Sequence, residues 1–370
     1  MSDQTILDAI DFAMRGQGAE PAAAIAVPDP AALETATALL NAAGWLARQG
    51  EGKLAASTEH GFVVGLDLGG TKLRGALSNA AGAIIDEYEL PTDNRSEKSS
   101  LLQMAEMVGN LARRAGIAPD AIVQIGVGVP GAVAPDGSVA LSPNVNFPAS
   151  LSLTAALTEL VGAPVSVEND VNVAAFGEYI EGHGRGRRLG SLAFAALGTG
   201  IGLGLIVEGR LVRGASGAAG EIGTLPFGDD PFAGAKAHPG GAYEAAVATG
   251  GIIERYATAT GSEIGVRQIF ERADAGEVIA AKVVEDTLRY FAYGLAAVVA
   301  LFDPGTIVIG GGIGARPGVA ERVGALVAAL VPTPCRIVAS GLGDRAGVVG
   351  AVALATRLAR LGLIDRGAAA

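Results

Sequence analysis

Three times in this chain an apolar stretch of strand character runs into a cluster of glycines: VVGLDLGGTKLRGAL at residues 63–77, LAFAALGTGIGLGLIV at 192–207 and TIVIGGGIG at 306–314. A residue without Cβ lets backbone N–H groups face an anion unobstructed, and it also permits tight hairpins. Either use explains one such cluster. Three of them in one chain point to a polyphosphate ligand, met by Gly69, Gly70, Thr71 and Lys72 in the first turn, Gly198, Thr199 and Gly200 in the second, and Gly311 and Gly312 in the third.

The first turn has the glycine separation of a P-loop, Gly65 to Gly70, but its order is Gly-Thr-Lys and a strand-like LRGAL follows. A P-loop requires Gly-Lys-Thr and a helix. A dinucleotide fold likewise needs a helix N-terminus after its glycines. What remains is the β-hairpin phosphate clamp of the actin and hexokinase type. There Asp67 organises Mg²⁺, through water, while the Gly69–Lys72 backbone and the Thr71 hydroxyl meet phosphate oxygens.

From Phe62 onward the pattern is strand, glycine turn, strand, then helix: FVVGLDL, LRGALSN and IIDEYELP, followed by LLQMAEMVGNLARRAG at helical spacing and the buried strand IVQIGVGVPG. The strand APVSVEND, the helix VNVAAFGEYIEG and the pair SLAFAALGTGIGLGLIVEGRLV then restart the same grammar. That repetition suggests an internal duplication of an α/β unit. The long helix EVIAAKVVEDTLRYFAYGLAAVVALF, the strand TIVIGGGIG and a closing helix GVVGAVALATRLARLGL complete the chain. The expected division is residues 1–60, a first lobe of 61–169 with 350–370, and a second lobe of 170–349.

In VENDVNVAA, Asn169 and Asp170 stand where a strand opens into a helix. Phosphoryl transfer to a hydroxyl needs one carboxylate in reach to take the proton, and Asp170 is the candidate base. Asp170 and Asn172 could equally cap the helix.

LDLGGTKLRGAL, GVGVPGAV, VENDVNVAAFGE, LGTGIGLGLIVEGRLVRGASGAAGEIG and FDPGTIVIGGGIG, in this order, resemble the ROK family of sugar kinases, repressors and related proteins over roughly residues 62–362. The resemblance implies a two-lobed actin-like ATPase fold of the hexokinase, ribonuclease H-like type, with ATP and a hexose bound between the lobes. It implies that Asp170 is the catalytic base, that Asn169, Glu221 and Glu244 bind sugar hydroxyls, and that the assembly is a dimer or tetramer. Carboxylates suit that task, because every sugar hydroxyl has a proton to donate.

The family's GEIGH and CxCGxxGCxE zinc motif is absent. Thr224 replaces the histidine, Ala235, Ala237 and Ala242 stand where the cysteines would be, and His238 is the one candidate ligand left nearby. One imidazole does not hold zinc, so no structural zinc is expected. The family histidine also touches the sugar, which puts Thr224 in the substrate site and leaves the sugar's identity open. The segment 224–244 must then be held by packing, with Phe227, Phe232 and Tyr243 as candidates. Loss of all four ligands together, with Asp170, Glu221 and Glu244 kept, reads as a zinc-free lineage.

ROK repressors carry an N-terminal winged helix-turn-helix, and ETATALLNAAGWLARQGEGKLAAS resembles its last helix and the start of its wing. Residues 1–60 form a helical appendage in which ILDAIDFAM and PAALETATALLNAAGWLARQ have helical character. Against eight acids (Asp3, Asp8, Asp11, Glu20, Asp29, Glu34, Glu51, Glu59) they hold three bases, Arg15, Arg48 and Lys53. No Arg or Lys lies in PAALETATALLNAAG, so DNA binding is not expected. The formal net charge of −11 likewise disfavours nucleic acid and anionic membranes. One cysteine, Cys335, excludes a disulfide framework, and packing is its expected role. No unbroken apolar run of membrane length and no secretory start in MSDQTILDAIDFAMRG place the chain in the cytoplasm. The reading is an ATP- and Mg²⁺-dependent kinase of a hexose or hexose-like sugar, with a sugar-responsive regulator or a non-catalytic sugar sensor as alternatives.

Overall fold

Each of the first two glycine turns joins a pair of antiparallel strands, and each pair opens a five-stranded sheet in the computed structural model of the chain. The structure describes residues 2–15, 29–49, 53–96, 98–140, 147, 151–185 and 189–368. Met1–Arg188 with Arg345–Ala370 form one unit, and Leu189–Asp344 the other.

The first unit runs through α1 (Asp3–Arg15), α2 (Pro30–Ala42), β1 (Leu46–Gln49), β2 (Lys53–Ala56), β3 (Phe62–Leu68), β4 (Lys72–Ser78), β5 (Ile84–Pro91), α3 (Ser99–Ala115) and β6 (Ile122–Val129). The short pair β7 (Ala132–Val133) and β8 (Val139–Ala140) follows, then α4 (Leu153–Val161), β9 (Val165–Asn169) and α5 (Asp170–Ile180). The second unit holds β10 (Ser191–Leu197), β11 (Ile201–Val207), β12 (Arg210–Leu211), α6 (Pro231–Ala237), α7 (Ala242–Val247), α8 (Thr249–Thr260), α9 (Val266–Asp274) and α10 (Val278–Phe302). It closes with β13 (Thr306–Gly310), α11 (Gly311–Gly314), α12 (Val319–Leu330) and β14 (Arg336–Ala339), after which α13 (Ala346–Ala368) returns to the first unit.

The strand order is β5-β4-β3-β6-β9 in one sheet and β12-β11-β10-β13-β14 in the other. In both, an antiparallel meander of three strands continues into two parallel strands. The repeated grammar of the sequence is thus a repeated topology. The central strands β3, β6, β10 and β13 are apolar almost throughout because they are covered on both faces.

The helix α13 packs on β3, β6 and α5. It approaches α5 so closely that a Cβ on Gly177 would lie 2.9 Å from the Gly350 nitrogen, and only glycine fits. This packing holds α5 in the first unit, so the unit runs to Arg188, beyond the boundary expected at residue 169. The segment Gly343–Arg366 is long and apolar enough to cross a membrane, yet its residues are mostly buried here. Arg357 and Arg360 interrupt its apolar run, so the sequence shows no unbroken stretch.

The N-terminal helices belong to the same unit. Arg360, almost wholly buried, donates to Asp11 Oδ1 at 2.9 Å and to the Ala80 carbonyl at 2.9 Å. Residues 16–28, where the sequence separates the two helices, lie outside the described residues. The helix expected to reach Gln49 ends at Ala42 instead. Gly44 takes φ +69°, and Leu46–Gln49 then pair antiparallel with Lys53–Ala56. Backbone pairing with a later segment overrides the local helical preference of that stretch.

Candidate active site

The turn after β3 has its carbonyls tied down, while two of its amides are left open among the described residues. Gly69 N–H closes the turn on the Lys72 carbonyl at 2.8 Å. The Gly69 carbonyl accepts from Thr92 Oγ1 (2.7 Å), that of Gly70 from Asn94 Nδ2 (3.1 Å), and that of Thr71 from Thr92 N–H (3.0 Å). The amides of Gly70 and Thr71 and the Thr71 hydroxyl have no partner among the described residues. Such a nest of outward N–H groups suits an anion. The Lys72 ammonium is engaged by Glu89 Oε1 at 3.2 Å, so its backbone is the part offered to a ligand at this turn. Arg74 and Lys72 together hold the Glu89 carboxyl below its usual range.

Asp67 stands at the carboxyl end of β3, paired across the sheet with Arg74 on β4 and Gly128 on β6. A Cβ on Gly128 would lie 3.7 Å from Asp67 Oδ1 and 3.5 Å from Asp170 Cα, which makes Asp67 and Asp170 neighbours across that glycine. On its other side the Asp67 carboxylate lies against Gly347, the second residue of α13. Half-buried and with no hydrogen-bond donor among the described residues, it is pushed up to about 6 by burial, partly offset by the Arg74 guanidinium. No three His, Cys, Asp or Glu side chains among the described residues could share a metal ion. A single carboxylate lacking donors is the protein's usual share of a Mg²⁺ site completed by phosphates and water, so Asp67 fits that ion.

The junction of β9 and α5 is capped by Asn169, whose Oδ1 accepts from Asn172 N–H at 3.0 Å while Nδ2 donates to the Gly131 carbonyl at 3.0 Å. Capping therefore falls to Asn169, and not to Asp170 or Asn172. Asp170 is the first helical residue, with Oδ1 accepting from the next amide at 2.8 Å. Glu168, missed by sequence reasoning, is buried and accepts from Asn169 N–H (3.0 Å) and Asn172 Nδ2 (2.9 Å). Its trace in the sequence is an acid directly before Asn169 and Asp170 at the end of the strand VSVEN.

In the second unit, Gly198 N–H bonds the Gly200 carbonyl at 2.9 Å, and Thr249 holds the Gly198 carbonyl through N–H (3.1 Å) and Oγ1 (3.0 Å). Thr199 projects without a partner among the described residues. Because β10 and β13 are parallel neighbours, the second and third glycine clusters meet: a Cβ on Gly198 would lie 3.4 Å from Gly312 N. Gly311 takes φ +81° there, a conformation suited to glycine.

Glu244, on α7, accepts from Ile201 N–H at 3.0 Å and lies against Gly200. Glu221 lies near enough for the Glu244 charge to add to burial in raising its pKa. The Thr224 hydroxyl donates to the Glu221 carbonyl at 2.8 Å. These three residues thus converge with the second glycine turn. Around them, Phe227 packs edge-to-face on Tyr243 (5.7 Å) and Tyr290 (5.1 Å), and Tyr243 bonds the Phe291 carbonyl at 2.9 Å. Phe232 is 84% exposed, contrary to the packing role expected of it. It follows Pro231 at the start of a seven-residue helix that presents it to water.

The sequence profile of the ROK family matches residues 63–358. The glucokinase of Streptomyces coelicolor is 30% identical over 320 residues, which cover 80% of this chain and 98% of that protein. The crystal structure of a ROK family glucokinase from Streptomyces griseus in complex with glucose and AMPPNP is 28% identical, covers 80% of this chain and 99% of its own, and superposes with a TM-score of 0.65. A ROK family transcriptional regulator, a homologue of the E. coli MLC protein, covers 99% of both chains with a TM-score of 0.76; at 21% identity that likeness concerns the fold.

Proposed function

The chain belongs to the ROK family, and from that membership we propose that it is a sugar kinase, moving the γ-phosphoryl group of ATP to a hydroxyl of a hexose or hexose-like sugar. Its two α/β units have the actin-like ATPase fold. The observation that carries the reading is the first glycine turn: its Gly70 and Thr71 amides, and the nearby Asp67 carboxylate, have no hydrogen-bond partner among the described residues.

In this reading the Gly69–Lys72 turn receives phosphate oxygens, and the amides around Gly198–Gly200 and Gly311–Gly312 receive the rest of the nucleotide. Asp67 would be the carboxylate that holds Mg²⁺. The ion, when bound, neutralises charge on the phosphates. Asp170 takes the proton of the attacking sugar hydroxyl, whose oxygen bonds to the γ-phosphorus as the bond to the ADP oxygen breaks. Glu221 and Glu244 accept from sugar hydroxyls, with Thr224 beside them. Asn169 offers the donor and lone pair that its capping role leaves over. The bound glucose and AMPPNP of the Streptomyces griseus relative support this assignment of ligand classes.

The second reading, a sugar-responsive regulator, is favoured by one feature, the N-terminal helix and hairpin that accompany the full-length likeness to a ROK regulator. The absence of Lys and Arg from α2 weighs against DNA binding. Under the kinase reading the protein works in the cytoplasm as a dimer or tetramer. The test is ADP release from Mg²⁺·ATP across hexoses, N-acetylhexosamines and fructose, with Asp170→Asn as control. Sugar-dependent release that disappears in the variant is expected; no release with any sugar, while one still raises the melting temperature, moves the assignment to a sensor.

A further inference from the structure

Arg345 is the first residue of the first unit after the chain returns from the second, and α13 starts at the next position. Its half-exposed guanidinium closes on Glu87 of β5, with Nη2 at 2.6 Å and Nε at 3.1 Å from Oε2, and Nε also 3.3 Å from Oε1. The two residues are 258 positions apart in sequence. Glu87 is shared with Arg74, whose Nε lies 4.0 Å from Oε1, and Arg74 in turn holds Glu89, the partner of Lys72. A chain of alternating charges therefore runs from the phosphate turn across β4 and β5 to the start of α13.

Two positions beyond Arg345, the backbone of α13 at Gly347 bears directly on the Asp67 carboxylate. On the opposite side the Ala346 carbonyl lies against Gly177 of α5. The first turn of α13 is therefore one wall of the space the carboxylate occupies, and Arg345 ties that turn to the sheet. An isolated exposed ion pair fixes little, but an Arg–carboxylate pair made through two guanidinium nitrogens and shared within a network holds a more defined geometry.

We propose that Arg345, anchored by Glu87, is a positioning residue for Asp67: it fixes the first turn of α13 and thereby the orientation of the carboxylate toward a Mg²⁺-bound nucleotide. The proposal rests on the kinase reading of Asp67. Neither residue touches a reacting atom. Nothing in the glycine turns or in VENDVNVAA points to the pair, because it joins an edge strand to a residue that follows the entire second unit.

The test uses the full-length chain with Arg345→Gln, Glu87→Gln, the double variant and Arg345→Lys. Calorimetry gives the Kd for Mg²⁺·AMPPNP and for the sugar substrate, and hydrogen exchange of the ligand-free protein gives protection of the amides at 347–349. Each single variant should weaken nucleotide binding by about three- to tenfold and speed exchange of that turn to a similar degree. The double variant should be no worse than either single one, Arg345→Lys should recover part of the loss, and the sugar Kd should stay within about twofold. A structural defect alone would weaken both ligands together and would overturn the proposal. So would wild-type exchange and wild-type nucleotide affinity in the single variants. If the unaltered protein binds no Mg²⁺·AMPPNP, the kinase reading fails instead, and exchange at 347–349 alone decides whether Arg345 orders the turn.

Discussion

Gly347 and Asp67 are in direct contact: a side-chain carbon at Gly347 would overlap both carboxylate oxygens. About three quarters of the chain separates them in sequence, and the contact exists because α13 packs on the sheet that holds β3.

Gly347→Ala should therefore displace the carboxylate or the helix. Turnover is expected to fall at least about tenfold, because small misplacements of an aligning group cost that much or more. Overpacking should also lower stability by about 1–3 kcal/mol. Steady-state kinetics and urea unfolding of the same preparation check both; an unchanged kcat would show that Asp67 does not depend on this wall.

Asp67→Asn should separate activity from stability. Burial pushes the folded carboxyl up to about 6 from an ordinary 3.8, so the native state holds its proton more tightly than the unfolded chain does. Stability is then present at low pH and is lost as pH rises from about 4 through 6, by at most about 3 kcal/mol. Asparagine carries no charge to bury. The variant should melt above the wild type at pH 8, match it near pH 4, and show no kinase activity. Melting curves across that range decide the matter, and a variant that melts lower at pH 8 contradicts it.

Thr92→Val removes the hydroxyl that holds the Gly69 carbonyl inward. The KM for ATP should rise about three- to tenfold, the value of one hydrogen bond that orders a binding loop, while the KM for sugar stays put. Equal changes in both constants would count against a nucleotide role for this turn.

Phe227→Ala should destabilise the protein by about 2 kcal/mol, since its ring packs against Tyr243 and Tyr290. Phe232→Ala should stay within about 0.5 kcal/mol of the wild type, because that ring faces water. Paired denaturation curves test whether the segment that lacks zinc ligands is held by one aromatic or by two.

The glycine turns were legible in the sequence because buried central strands read as unbroken apolar runs, and the glycines that end them break that pattern abruptly. The same holds for Asn169 and Asp170, placed at a strand end by the text VEND. Other features depend on partners the local sequence does not reveal. Leu46–Gln49 has helical character and is a strand only because Lys53–Ala56 lies opposite. The boundary at Arg188 follows from glycine contacts between α5 and α13, which no window of sequence contains. The burial of Glu168 and the exposure of Phe232 run against their residue types, so composition misleads at both.

The dependence of β3, β6 and α5 on α13 has a consequence for biosynthesis. A nascent chain emerging N-terminus first has the sheet strands of its first unit long before the helix that covers them. The second unit is continuous from Leu189 to Asp344, so all of it precedes α13. On the ribosome its core can therefore form first, while Gly65, Gly126 and Gly177 wait for α13 to pack against them.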